Sequence, residues 1–139
     1  LSIKMNKIVF FLLCIVFATS CKKDRYIFTM KTVKLNDYDK SKFPDQNLSI
    51  KVIDTSPLNV IASSESYPSS QTLPATFNLS PHPQVHLYKD KNITVQLWGD
   101  VSGLMGYSTI DMKEYKIIYP IDMETKEGST SFSVAGTWQ

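Results

Sequence analysis

Thiols are scarce in this chain. Its 139 residues hold two cysteines, Cys14 and Cys21, and both precede everything that reads as a folded domain. The rest of the chain has no thiol and no disulfide, so its stability has to come from packing. Thiol catalysis, zinc–thiolate centres and iron–sulfur clusters are excluded on the same ground. Histidine is equally scarce. His82 stands between Pro81 and Pro83, and His86 falls in the extended run Val85 to Tyr88. Proline forbids a helix there, so the two cannot present ligands from one helical face. No serine occupies a Gly-x-Ser-x-Gly elbow. The glycine-bearing stretch Gly99 to Gly106 lacks the Gly-Lys-Ser/Thr ending of a phosphate loop. No catalytic residue and no cofactor site emerge from these types and spacings, and the chain is not expected to be an enzyme.

Charge of one sign is lacking too. The chain carries 15 basic and 13 acidic residues, but Lys4 and Lys7 lie within the first 20, which leaves 13 of each beyond them. A neutral domain has no field to draw in nucleic acid. Long apolar runs are absent with one exception, the eleven residues Ile8 to Ala18. A membrane-spanning helix needs about 20 such residues to cross a bilayer core about 30 Å thick. Lys7 precedes this run, and the small residues Ala18, Thr19 and Ser20 end it directly before Cys21. A charged start, a short apolar centre and a small-residue cleavage site are the layout of a secretory signal. Leu1 to Lys4 precede Met5, which reads as the start of that signal.

Ala18-Thr19-Ser20-Cys21 resembles the lipobox of bacterial lipoproteins, with Ala18 standing where leucine is usual. The charged tail Lys22-Lys23-Asp24 is similar to that of Bacteroidota-type lipoproteins. The resemblance implies lipidation of Cys21, cleavage before it, and a protein held to a membrane by its acyl chains. Each buried methylene of such a chain contributes about 0.8 kcal/mol, and more than one chain is needed for stable anchoring. The organisation that follows is a helical signal with the upstream residues over 1–20, a lipidated linker over 21–25 and a single domain over 26–139. The expected location is the cell envelope, lipid-anchored, at the outer membrane.

What is plentiful in 26–139 is aromatic and β-branched residues in short runs, punctuated by Pro, Gly, Asn, Asp and Ser. That pattern predicts an all-β domain, an antiparallel β-sandwich of about eight strands. Tyr26 to Leu35 reads as the first strand. Phe28 and Met30 fall on one face and Val33 and Leu35 on the other, a slip that predicts a bulge or burial on both faces. Leu48, Ile50 and Val52 alternate with Ser49 and Lys51. Leu58 to Ala62 continues after a turn at Asp54 to Pro57. Ser63 to Gln71 reads as an exposed, mobile connection. In Thr72 to Leu79, Pro74 predicts an edge position or a bulge. Val85 to Tyr88 and Ile93 to Trp98 read as a hairpin around Lys89 to Asn92. Tyr107 to Met112 follows with Ile110 and Met112 inward, then one helical turn at Lys113 to Tyr115 and a short strand Ile117 to Ile121. Thr125 to Ser129 reads as a turn, and Thr130 to Gln139 as a closing strand with Phe132, Val134, Gly136 and Trp138 on one face.

Three segments go beyond strand counting: Phe43-Pro44-Asp45 before a strand, Leu73-Pro74-Ala75-Thr76-Phe77-Asn78, and Gly99-Asp100-Val101-Ser102-Gly103 between two strands. Their order resembles the calcium- and phospholipid-binding sandwich of protein-kinase-C type. The resemblance implies a metal site in facing loops, with Asp45 and Asp100 at matching positions and Asp37 and Asp39 as further candidates. Trp98 stands where another aspartate is expected, and Leu104-Met105 lacks the trailing carboxylates. Calcium takes about 6–8 oxygens, so the expectation is no metal site; these aspartates read as turn formers that bond their own backbone. Leu104 and Met105, apolar in a glycine-rich loop, read as a contact surface. The function expected is binding or structural, toward an unidentified protein or glycan. The competing class is a calcium-dependent module or metal-dependent enzyme using Asp37, Asp39, Asp45 and Asp100.

Overall fold

A computed structural model describes residues 27–55, 58–86, 92–111 and 122–139. Residues 1–26, 56–57, 87–91 and 112–121 lie outside the described residues, and with them the signal, Cys21, the linker, the inward Met112 and the helical turn and short strand read into 113–121. Among the described residues ten strands follow in chain order: β1 Ile27–Asp37, β2 Asn47–Thr55, β3 Leu58–Ser64, β4 Tyr67–Pro68, β5 Ala75–Ser80, β6 Gln84–His86, β7 Asn92–Gly99, β8 Gly103–Asp111, β9 Asp122–Glu127 and β10 Thr130–Trp138. A 3-10 turn, Lys40–Lys42, is the one helical element among the described residues. The fold class is all-β and antiparallel, a sandwich whose two layers join into a nearly closed barrel.

One layer is built on β1, which pairs with β10 on one side and with β5 and then β6 on the other; β9 continues it beyond β10. The second layer is built on β2, which pairs with β7 on one side and with β3 and β4 on the other; β8 lies beyond β7. Strand β5 joins the layers. Its residues Ala75 to Asn78 pair with β1, and Leu79 and Ser80 pair with Ser64 and Ser63 of β3. At the opposite junction, β8 meets β9 through side chains: the hydroxyls of Ser108 and Thr125 bond each other, and Thr125 Oγ1 donates to the Thr109 carbonyl at 3.5 Å.

The core forms where the alternating residues of both layers point inward. Leu48, Ile50 and Val52 of β2 and Ile93, Val95 and Leu97 of β7 meet Phe77 of β5 and Phe132 and Val134 of β10, all buried. Each such side chain contributes roughly 1.5–3 kcal/mol by leaving water. Trp138 packs on Phe28 with ring centroids 5.0 Å apart, so the last strand is held at its end.

The slip in β1 is a bulge, and it puts all four apolar residues on one face. Met30 pairs with Gly136 and Thr32 with Ala135, leaving Lys31 as the extra residue, exposed. Phe28, Met30, Val33 and Leu35 are therefore all in the core.

Four expectations need correction. Strands β6 and β7 are not a hairpin, because β6 pairs with β1 in one layer and β7 with β2 and β8 in the other. Alternation reports that a strand is half-buried, not which neighbour it takes. The stretch Ser63 to Gln71 is exposed to half-buried throughout, as expected, but it is not an unpaired connection. Tyr67 and Pro68 pair with β2, Tyr67 packs edge-on against Phe77 at 5.3 Å, and Ser64 Oγ accepts from Ile50 N at 2.8 Å. Ser64 and Ser69 of this stretch bond backbone groups through their hydroxyls, a use that composition does not reveal. Strand β5 lies inside the path of strands and not at an edge, since Pro74 falls one residue before it. Thr125 is in strand β9, and the turn is the two residues Gly128 and Ser129, with Gly128 at φ +60° in the first central position of a two-residue hairpin.

Candidate functional site

Strand β1 ends at Asp37 and the chain enters a polar loop. Asp37 Oδ1 accepts from the Tyr38 amide at 2.9 Å. Asp39 caps the 3-10 turn, accepting from the Ser41 amide at 3.2 Å and from the Ser41 hydroxyl, and pairs with Lys42 at 3.6 Å. The Ser41 hydroxyl bond, with Lys42 beside it, holds the Asp39 carboxyl below its usual value. Tyr38 is buried under this loop, and burial first, then the charge of Asp45, raises its phenol.

The next residue pair organises three loops. Gln46 is 8% exposed, the only buried glutamine among the described residues. Its Oε1 accepts from the amides of Val101 and Ser102 at 3.0 and 2.8 Å. Its Nε2 donates to the Pro44 carbonyl at 3.2 Å and to Ser102 Oγ at 2.9 Å. Its own amide donates to Ser69 Oγ at 3.0 Å, and its carbonyl accepts from Ser69 N at 2.8 Å. Beside it, the Asp100 carboxylate accepts from Asn47 N at 2.9 Å and from Asn47 Nδ2 at 3.3 Å, while Asp100 N donates to the Asn47 carbonyl at 3.0 Å. The β7–β8 turn that carries Asp100 closes with Gly103 at φ +73°, a conformation open to glycine without strain.

These loops enclose an open cleft of about 370 Å³ lined by Asp45, Gln46, Asn47, Pro68, Ser69, Ser70, Asp100 and Val101. Two carboxylates, two carboxamides and two hydroxyls line it, groups whose chemistry suits hydrogen-bond donors such as those of a hydroxyl-rich or cationic molecule. Of the four aspartates read from the sequence, the structure brings Asp45 and Asp100 to the cleft. Asp37 and Asp39 are engaged with their own loop. Among the described residues, no three His, Cys, Asp or Glu side chains gather as a metal site. His82 is exposed in the turn after β5, and His86 is half-buried in β6, opposite Ile27.

The structure separates Leu104 from Met105. Leu104 lies on the outer face of β8 opposite Trp98, 45% exposed, while Met105 packs on the core. The apolar tip of the loop is Val101, 69% exposed. On the same outer face, Lys51 Nζ sits 4.0 Å over the Trp98 ring and Trp98 Nε1 donates to Gln96 Oε1 at 2.8 Å, so the indole is held by both neighbours. Gln46 is the residue that sequence reasoning missed. Its partners at 101 and 102 are more than fifty positions away, and a glutamine in a polar run carries no local mark of them. Comparison of the chain with protein-family models, with curated proteins and with solved structures finds no match.

Proposed function

We propose that this protein is a lipid-anchored lipoprotein of the cell envelope, at the outer membrane, whose barrel is a non-catalytic binding or structural module. It holds its ligand, a hydroxyl-rich glycan or a polar protein segment, in the cleft at Asp45, Asn47, Ser70 and Asp100. The observation that carries the reading is the relation of tether to cleft. Strand β1 begins at Ile27, six residues after Cys21, and the loop bearing Asp45 follows its far end. At about 3.3 Å per residue, the eleven residues of β1 put its far end about 35 Å from its start. A cleft so placed faces away from the membrane that the acyl chains hold.

Feeding cells a palmitate analogue tests the anchor. The wild-type chain is expected to take label and to sediment with the envelope, and Cys21→Ser to lose both. Equal labelling of the two would remove the tether from the reading. The second reading, a calcium-dependent module, rests on Asp45 and Asp100 sharing the cleft. Titration calorimetry of the purified chain with calcium is expected to give no saturable heat and no change in melting temperature, because two carboxylates supply too few of the oxygens that the ion takes. A saturable heat lost in Asp100→Asn would give the cleft to the metal instead.

A further inference from the structure

Strand β3 has one edge paired and one edge free over its first half. It pairs with β2 from Leu58 to Ser63, whereas β5 meets its other edge at Ser63 and Ser64 alone; among the described residues no strand covers that edge over Leu58 to Val60. The same stretch is exposed: Leu58 is 82% and Val60 52% in contact with solvent, and Asn59 lies exposed between them. Ile61 is the extra residue of a bulge, which ends the regular edge. Proteins usually blunt an open edge with lysine, proline, a bulge or an inward charge, and here the bulge at Ile61, with Pro57 next to Leu58 in the sequence, confines the open edge to Leu58 to Val60. Leu58, Asn59, Val60, Ile61 and Ala62 carry no charge at all.

We propose that this edge pairs with the same edge of a second copy of the chain. The two strands run antiparallel about a two-fold axis at Asn59, continuing the β8–β7–β2–β3 layer from one molecule into the next. The register follows from the pleat. Residues opposite each other in an antiparallel pair share a face. An axis at Asn59 sets Leu58 of one copy against Val60 of the other, twice, on the outer face where both are exposed, and sets Asn59 against itself. The sequence is self-complementary in this register, and no like charges meet. A bilayer surface is the less fitting occupant, because an open sheet edge entering hydrocarbon leaves its amides and carbonyls without partners. With three residues a side the contact falls in the class of small interfaces, so the dimer is weak and concentration-dependent.

The experiment uses the full chain in mild non-ionic detergent with Cys14 and Cys21 replaced by serine, which makes it independent of the anchor. Under mild oxidation, Asn59→Cys is expected to give a disulfide-linked dimer about tenfold above that of Ser70→Cys in the cleft, since direct pairing holds the two Cα atoms about 4.5–5.5 Å apart, within reach of a disulfide. Adding Val60→Lys is expected to abolish that product while leaving the melting temperature where it was, Val60 being half exposed. Equal yields from Asn59→Cys and Ser70→Cys, or a product that survives Val60→Lys, would overturn the pairing. So would shielding of Asn59→Cys from a water-soluble maleimide only when vesicles are present, which would assign the edge to the bilayer.

Discussion

Replacing Gln46 by alanine is expected to destabilise the domain by about 3 kcal/mol, lowering the melting temperature by on the order of 15 °C. The reasoning is a count of what loses its partner. The Val101 and Ser102 amides lose their shared acceptor, and the Pro44 carbonyl and Ser102 Oγ lose their donor. A buried polar group left unpaired costs about 1–3 kcal/mol, and entry of water into the vacated space recovers part of that. The loss is not a matter of volume, which Gln46→Glu makes visible. Glutamate keeps the two acceptor contacts but turns a carboxylate oxygen toward the Pro44 carbonyl, next to Asp45. It should fall between wild type and alanine near neutral pH. Amide exchange at Val101 and Ser102 reports the same event locally, rising in Gln46→Ala ahead of exchange in the core. If Gln46→Ala melts within a degree or two of wild type, the three loops stand on their backbones and the glutamine is incidental. In Gln46→Ala the backbone bonds to Ser69 remain, so the 68–71 turn keeps its hold while the 100–102 turn loses its side-chain anchor.

Gly136→Ala is expected to have an effect of similar size by a different route. An added Cβ would lie 2.0 Å from the Thr29 carbonyl oxygen and 2.9 Å from Phe28 Cζ. The nearer of these is backbone, so no rotamer change relieves the clash. The strands β1 and β10 would have to separate beside the Lys31 bulge, disturbing Phe28 and the Trp138 ring that rests on it. Overpacking of this kind costs about 1–3 kcal/mol, and a backbone obstacle puts it at the upper end. A urea titration with unchanged slope and a lowered midpoint would record it. A midpoint equal to wild type would mean that the two strands are looser there than their register implies.

The parts of this fold that could be read in advance are those written in a single strand. Leu48, Ile50 and Val52 alternate, as do Ile93, Val95 and Leu97, and both sets are core. The phase slip in β1 was legible as either a bulge or burial on both faces, and only the register with β10 decides for a bulge at Lys31 that brings Val33 and Leu35 back to the side of Phe28. What could not be read is partnership. Nothing in Gln84 to His86 distinguishes pairing with Ile27 to Thr29 from pairing with the strand that follows. The site divides in the same way. Asp45 and Asp100 are visible as polar residues at strand ends, and their meeting depends on β2 and β7 lying side by side. Gln46 acts through amides of a turn 55 and 56 positions on, contacts that depend on the same long-range pairing.

The two junctions of the barrel are closed by different means, and this bears on how the molecule comes apart. At β5 the layers share a strand that bonds to both through its backbone. At β8 and β9, among the described residues, they meet through the hydroxyls of Ser108 and Thr125 and a long bond to a carbonyl. A net contribution of about 1 kcal/mol for a side-chain hydrogen bond is small against a ladder of several. With no disulfide to staple it, the second junction is where a transient opening has least to break. Such an opening would bare the edges of β8 and β9 together, so proteolytic nicking under native conditions should begin there, its rate tracking the population of the gaping state and not that of the unfolded chain.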